Sequence, residues 1–486
     1  MPPRLTDDAA TMQRIRKAVQ IPQTSGSTSS LASLIAANIP PQARFVLLGE
    51  ASHGSDEFYR TRSRVTEILI EEKGFDAVVV EADFPDAFRA NLYVSGMNDT
   101  SPGTRPGTTR GTPGDQTAEE ALGDFIRFPQ WMWRNTAVRD FLTWLRSHNA
   151  GAGKSTRFYG MDVYSLHSSA AKVIDFLNSV DREAARQVSE RYACFDRFGE
   201  DSMAYAYAVG MAKAPACTDE AVKCLTDVIA KRAQHAAASD GEVGRELQFA
   251  AECNAWVVAG AENYYRQMFF GDELTWNIRD THFANTIGRI DDHLKAGRSG
   301  QPKIVIWAHN SHLGDASATD MGQRRGEVNL GQLMRERYPT SGEVFNVGFT
   351  THSGFVAAAD EWDSPGQRKA VRPSMPGSYE SVFHALGIPS FVLNFKTLKA
   401  KLKTEEDQTV LKKLAGPMLE RAIGVIYRPR SERQSHYFYA DITRQFDVIA
   451  HIDETNAVTP LDPGHPSWEK EHLAKEDIPE TFPFAV

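Results

Sequence analysis

The chain has 486 residues, 41% hydrophobic and 24% charged, enough for two or three domains or one large domain with insertions around a sizeable core. Its formal net charge of -9 excludes a general nucleic-acid or anionic-membrane surface. No apolar run approaches the ~18 residues that span a bilayer, and Met1 to Gln20 is charged with no signal-peptide core, so a soluble cytoplasmic protein is expected.

Residues 1–43 read as a helical lead-in, broken by the Ser/Thr-rich stretch Gln23 to Ser30. Residues 44–164 read as the first part of an α/β core. Phe45 to Gly49 is a buried strand that runs into Glu50 and His53, and the following segment carries Phe58, Val65, Ile68 and Leu69 at helical spacing. Ala77 to Val80 runs into Glu81 and Asp83; Arg157 to Gly160 runs into Asp162. Between them, 98–117 is rich in Gly, Pro, Thr and Ser and reads as an exposed loop. Residues 165–297 show no strand and several amphipathic helical stretches, such as Glu246 to Met268. The cysteines Cys194, Cys217, Cys224 and Cys253 all fall there or at its helices; they read as small buried hydrophobes, with no disulfide framework expected. From 298 to 486 the strand rhythm resumes, with Lys303 to Trp307, Val344 to Val347, Phe391 to Asn394 and Ile423 to Tyr427.

The expected fold is therefore α/β. A mostly parallel central sheet is flanked by helices, and the helical insertion forms a lobe over the C-terminal ends of the strands. Ligands of such sheets bind outside those ends. Four strands run into an acid or a histidine there, which points to proton-transfer chemistry.

Several motifs are absent. No Gly-x-Ser-x-Gly elbow or His-Glu-x-x-His zinc motif occurs, and Gly151 to Ser155 lacks the leading glycine of a phosphate loop, because that position is His148. More informative is Leu48 to Gly54, where a strand ends in glycine and then presents Glu50 and His53 on a tight turn. The carboxylate can orient His53 as a general base for water, or it can cap the helix that follows. Arg62 lies four residues after Phe58 and three before Val65, on or beside the apolar helix face, where it needs an anionic partner. Glu81 is the partner expected. His309 and His312 follow the strand Lys303 to Trp307 and can donate to an oxyanion or act as acids. A divalent metal held by these groups is the alternative, although no ligand spacing is diagnostic. Trp131 and Arg134 belong to an aromatic–polar cluster, and His436 to another; either cluster can line a ligand pocket.

These residues resemble the erythromycin esterase family, which includes succinoglycan-biosynthesis-like proteins. The resemblance rests on Leu48 to Gly54, Val80 to Asp83, Phe128 to Asn135, Phe158 to Asp162, Trp307 to Asp315 and Glu420 to Pro429. It implies hydrolysis of a macrolide lactone or similar carboxylic ester by a histidine-activated water, without an obligatory metal or other cofactor. It assigns catalytic roles to Glu50, His53, Arg62, Glu81 and one of His309 and His312. Asp83, Trp131, Arg134, Asp162 and His436 are the expected substrate contacts. The implied partner is a small ester or lactone, with neither nucleic acid nor membrane. The rival readings are a hydrolase or lyase acting on another natural product or polysaccharide, and a ligand-binding homologue that has lost catalysis.

Overall fold

The computed structural model describes residues 5–97, 114–151, 153, 155–199, 201–237, 241–296, 300–401, 404–464 and 468. Most of the Gly/Pro-rich loop expected at 98–117 lies outside the described residues. The strands, in chain order, are β1 (Phe45–Leu48), β2 (Ala77–Asp83), β3 (Arg157–Asp162), β4 (Ile304–Trp307), β5 (Val344–Thr350), β6 (Ser353–Ala358), β7 (Gln367–Val371), β8 (Ser390–Asn394), β9 (Met418–Arg421), β10 (Tyr437–Ala440), β11 (Val448–Ile452) and β12 (Glu454–Thr455). The chain divides into two compact units. The first comprises Met1–Phe75, Phe125–Phe141 and Lys303–Val486; the second comprises Asp76–Asp124 and Leu142–Pro302.

In the first unit the strands lie in the order β4-β1-β5-β11-β8. β1 pairs in parallel with β4 and β5, β11 pairs in parallel with β5, and only the β11–β8 pair is antiparallel. Every residue of β1, β4, β5 and β11 is buried. That explains the unbroken apolar runs of β1, Phe-Val-Leu-Leu, and β4, Ile-Val-Ile-Trp: strands covered on both faces do not alternate. The helix Asp56–Lys73 follows β1 and buries Phe58, Tyr59, Arg62, Val65, Thr66 and Leu69 on one face. It starts with Asp56 and Glu57 in its first turn and stops at Gly74, whose φ of 67° is the left-handed cap that glycine adopts without strain. Lys73 in the last turn donates to the carbonyls of Ala36 and Ile39, tying this helix to the helix Thr28–Asn38.

Two sequence readings change here. Ile423 to Tyr427 is not a strand; it makes single bridges from Ile423 to Ser52 and from Ile426 to Ala359. Val448–Ile452, which the sequence reading passed over, is a central strand.

In the second unit β2 and β3 pair in parallel, with a shift of register between Val80 and Asp83. Gly160 sits against that irregularity, where a Cβ would meet the Ala82 carbonyl oxygen at 2.5 Å. The remainder is helical, from Leu166–Val180 to Asp272–Lys295. These helices close around Val173, Leu177, Val188, Tyr205, Leu225 and Val258. Cys194 and Cys217 form a disulfide with Cα atoms 6.1 Å apart, correcting the reading of all the cysteines as isolated hydrophobes. No local spacing signals that pair; packing of neighbouring helices makes it. Cys224 and Cys253 are buried thiols. Among the described residues no helix is long and apolar enough to cross a membrane.

Candidate active site

In the first unit, the turn between β1 and the helix Asp56–Lys73 is built around two glycines. A Cβ on Gly49 would meet Asn310 Oδ1 at 2.2 Å, and a Cβ on Gly54 would meet the Ala357 carbonyl oxygen at 2.0 Å. No larger residue fits at either position without moving backbone or a fixed amide. The turn is also pinned through its main chain. Asn310 N–H donates to the Glu50 carbonyl, His53 N–H donates to the Ile423 carbonyl, and Ile423 N–H donates to the Ala51 carbonyl. Tyr59 Oη, one turn into the helix, donates to the His53 carbonyl at 2.8 Å.

This rigid turn holds Glu50 between two cations or potential cations. Its Oε1 accepts from His53 Nδ1 at 2.9 Å, and its Oε2 accepts from Arg62 Nη2 at 2.6 Å. All three residues are at most 4% exposed. A carboxylate that accepts from Nδ1 fixes the neutral His53 tautomer with its proton there, so the basic lone pair sits on Nε2. The Arg62 guanidinium lies 4.5 Å from the Tyr59 ring centroid and 5.3 Å from that of Trp307. Its Nε and Nη1 have no hydrogen-bond partner among the described residues, so aromatic faces stand in for part of its lost hydration.

Beyond β4, His309 caps the short helix Asn310–Leu313. Its ring centroid is 4.8 Å from that of His53, the planes inclined at 46°. His309 Nδ1 accepts from the Ser311 N–H at 3.2 Å and lies 2.8 Å from Ser311 Oγ. An acceptor at Nδ1 puts the proton of neutral His309 on Nε2, making it a donor. The two imidazoles are thus set in opposite tautomers, one a base and the other a donor. Asn310 Nδ2 donates to the Phe349 carbonyl at 2.7 Å and its Oδ1 accepts from the Phe349 N–H, clamping this loop to β5. His312 is buried on the same short helix, and its N–H donates to the His309 carbonyl.

The structure therefore brings together Glu50, His53, Arg62 and His309. It corrects the partner expected for Arg62. Arg62 grows from the helix that leaves the Glu50 turn, so Glu50 is within reach after less than two helical turns. Glu81 instead belongs to a cluster in the second unit, with an arginine that the sequence reading missed. There Arg279 Nη2 donates to Glu81 Oε1 at 3.0 Å and to Asp162 Oδ2 at 2.8 Å, and its Nε donates to Asp162 Oδ1 at 3.1 Å. Asp162 also accepts from the Val163 N–H. Burial opposes charge on Arg279, but Asp162, Tyr164 and Glu81 outweigh it and hold the guanidinium pKa well above its ordinary value. Asp83 is buried opposite Asp162 in the β2–β3 register. The signal for Arg279 was an arginine four residues before Phe283 on the buried side of its helix; its side chain lies over that ring at 4.9 Å.

The remaining expected contacts lie elsewhere in the first unit. Trp131 and Arg134 line a surface cavity with residues 363–366, Pro460, Asp462 and Gly464. His436 is a structural acceptor: its Nε2 takes the Arg428 N–H at 3.1 Å and its ring packs 5.2 Å from that of Tyr427. Burial pushes the His436 imidazole from 6.5 down to about 4. In the second unit burial likewise lowers His282 from 6.5 to about 3. Both rings are neutral in the fold, and the unfolded chain binds their protons first. Stability from this source is therefore complete above pH 6.5 and is lost as pH falls through the window down to the folded values. Urea titrations at pH 7 and pH 5 are expected to show the acid sample to be less stable, and His436→Gln is expected to shrink the difference.

Among the described residues, no group of three or more His, Cys, Asp or Glu side chains is arranged to hold a metal ion.

Comparison with known proteins gives a consistent result. The erythromycin esterase family pattern matches residues 70–455. Erythromycin esterase type II of Escherichia coli is 23% identical over 336 residues, 65% of this chain and 70% of that protein. The crystal structure of a succinoglycan biosynthesis protein superposes with a TM-score of 0.68 at 18% identity, covering 93% of this chain and 98% of the other. A mutant erythromycin esterase in its open conformation superposes with a TM-score of 0.54 at 17% identity, over 87% of this chain and 93% of the other. Glu50, His53 and Arg62 precede the matched stretch, while His309 and Glu81 fall within it. That stretch covers most of the chain, which belongs to the erythromycin esterase family and so to the hydrolases.

Proposed function

We propose that the protein hydrolyses a carboxylic ester or lactone with a water activated by His53. The observation that carries this reading is the chain Arg62–Glu50–His53, with His309 4.8 Å away in the complementary tautomer. His53 Nε2 takes a proton from water as the oxygen attacks the ester carbonyl. Glu50 holds the ring and stabilises the imidazolium that forms, and Arg62 fixes Glu50. His309 Nε2–H donates to the oxyanion of the tetrahedral intermediate. Collapse expels the alkoxide, which takes the proton back from His53. For a lactone the product is a single hydroxy acid. Glu81 enters this reading through the family resemblance alone, as part of the supporting polar network.

The purified protein should be offered a panel of macrolactones, smaller lactones and acyclic esters in water enriched in oxygen-18. Mass spectrometry is expected to find one heavy oxygen in the product carboxylate. If no member of the panel is opened by folded protein, the reading fails.

A second outcome separates this chemistry from metal catalysis. Turnover is expected to survive exhaustive dialysis against EDTA, because a histidine–carboxylate pair suffices to activate water. Loss of activity restored by one divalent ion would make Glu50, His53 and His309 ligands instead.

A further inference from the structure

The helix Ser202–Gly210 in the second unit reads Ser-Met-Ala-Tyr-Ala-Tyr-Ala-Val-Gly and carries no charge. A helix that is apolar all round is ordinarily covered all round. Among the described residues only one face of this one is covered. Tyr205 and Ala206 belong to the buried core of the unit, whereas Met203 and Tyr207 stand 52% and 49% exposed. Met211 N–H still donates to the Tyr207 carbonyl, so the stripe runs on to Met211, itself 50% exposed. Residues four apart lie along one line of a helix surface. Phe269 stands edge-on to Tyr207 with centroids 6.3 Å apart, and a Cβ on Gly210 would meet the Phe269 ring at 3.3 Å. Phe270 follows it in the chain and is 66% exposed.

Extent and charge together select what covers this face. Five large apolar side chains, each about half exposed, present roughly 500 Å², at the upper end of the patches that monomers carry. Two such faces laid together remove about 1,000 Å² from these side chains alone, which reaches the size of a specific protein contact. The order of residues along the stripe is complementary to its own reverse. Met203 and Met211 stand on either side of Tyr207 at equal spacing, and beyond them the exposed Asp201 and Lys213 do the same. Reversing the helix about Tyr207 therefore sets Met203 on Met211 and Asp201 beside Lys213, twice over. Asp201 Oδ1 accepts from the Met203 and Ala204 N–H groups at 2.9 Å, and Oδ2 takes part in neither bond. Lys213 Nζ donates to Tyr207 Oη at 2.8 Å and lies 4.3 Å from that ring centroid, so its charge is held against the stripe. Antiparallel helices also oppose their dipoles favourably. An apolar or anionic membrane surface offers the Asp201 carboxylate no partner.

We propose that this face pairs with the same face of a second copy of the chain, the two Ser202–Gly210 helices running antiparallel about a two-fold axis at Tyr207, with Asp201 of each copy against Lys213 of the other. The contact stands whether or not His53 performs ester hydrolysis.

Sedimentation velocity of the full chain is expected to show a monomer–dimer equilibrium with a dissociation constant in the micromolar range, in keeping with the modest area. Tyr207→Asp brings two carboxylates together at the axis and is expected to leave only monomer. Lys213→Asp and Asp201→Lys each replace the two attractive pairs at the rim with repulsive ones, so either variant alone is expected to dimerise about tenfold more weakly. An equimolar mixture of the two variants restores opposite charges at both ends and is expected to recover dimer at near-parental strength. Circular dichroism melts check that each variant is folded. Lys213 is exposed and lies beyond the end of the helix, so its variant keeps the test decisive if Tyr207→Asp does not fold. Flotation with phosphatidylcholine vesicles, with and without phosphatidylglycerol, probes a lipid partner. A chain that stays monomeric at about 100 μM, well above the expected range, would overturn the proposal. So would a dimer indifferent to both Tyr207→Asp and Lys213→Asp, a mixture no stronger than its folded components, or a monomer that floats with the vesicles.

Discussion

Replacing His53 by glutamine is expected to lower turnover by at least about 100-fold, the scale of losing a general base, while the thermal midpoint stays near that of the parent protein. Glutamine keeps a polar group beside Glu50, and the turn it sits in is held by main-chain bonds from Asn310 and Ile423 that do not involve the imidazole. The loss should fall on kcat rather than on KM, because the ring acts on water and not on the bulk of the substrate. Near-parental hydrolysis by His53→Gln, with any substrate found in the panel, would remove His53 from the reaction. The same variant distinguishes an enzyme from a binding protein, since ligand affinity alone would survive it.

The second large effect is expected at Arg62, and on stability. Arg62 and the Glu50 that it binds are each 1% exposed. Arg62→Met approximates its length and apolar stem but strands Glu50 in the interior with only His53 as partner. Removing one member of a buried ion pair costs about 3–5 kcal/mol, because the other charge remains desolvated. Urea unfolding at pH 7 should show a loss of this size. The double variant Arg62→Met with Glu50→Gln should recover part of it, since the stranded charge is gone. A single variant within about 0.5 kcal/mol of the parent, the scale of ordinary surface changes, would mean that the aromatic rings rather than Glu50 set the energetics of this residue.

What the sequence disclosed and what it withheld follow one physical line. β1, its acidic turn and the helix after it were legible because each is a local pattern: an apolar run, glycine at the strand end, then helical spacing. The placement of Arg62 on the buried face was legible for the same reason. Its partner was not, because pairing between a helix and a strand end depends on which carboxylate the fold brings nearest. Glu81 was the plausible choice from strand order, and Arg279, nearly two hundred residues further along the chain, was the group that met it. β11 was hidden by His451 and the flanking acids Asp447 and Asp453, which make a buried central strand look like a polar loop. Ile423 to Tyr427 has the opposite character. It looks like a strand but lends single bridges to Ser52 and Ala359, bracing the turn instead of joining the sheet.

The closeness of Gly49 to Asn310 bears on how this protein can change over time. A methyl group at position 49 would collide with the amide oxygen of Asn310 at 2.2 Å, and that amide is the clamp on Phe349. Neither position can drift alone. Shortening Asn310 makes room at 49 only by releasing β5, and keeping Asn310 forbids anything but glycine. The dependence runs one way: a side chain at 49 first needs a shortened Asn310, and that change is harmful whatever occupies 49. In a library that randomises the loop after β4, survivors should retain Asn310 whenever Gly49 is fixed, and variation should concentrate at Ser311 and beyond. The route by which this site acquires new substrates therefore leaves this glycine and asparagine intact.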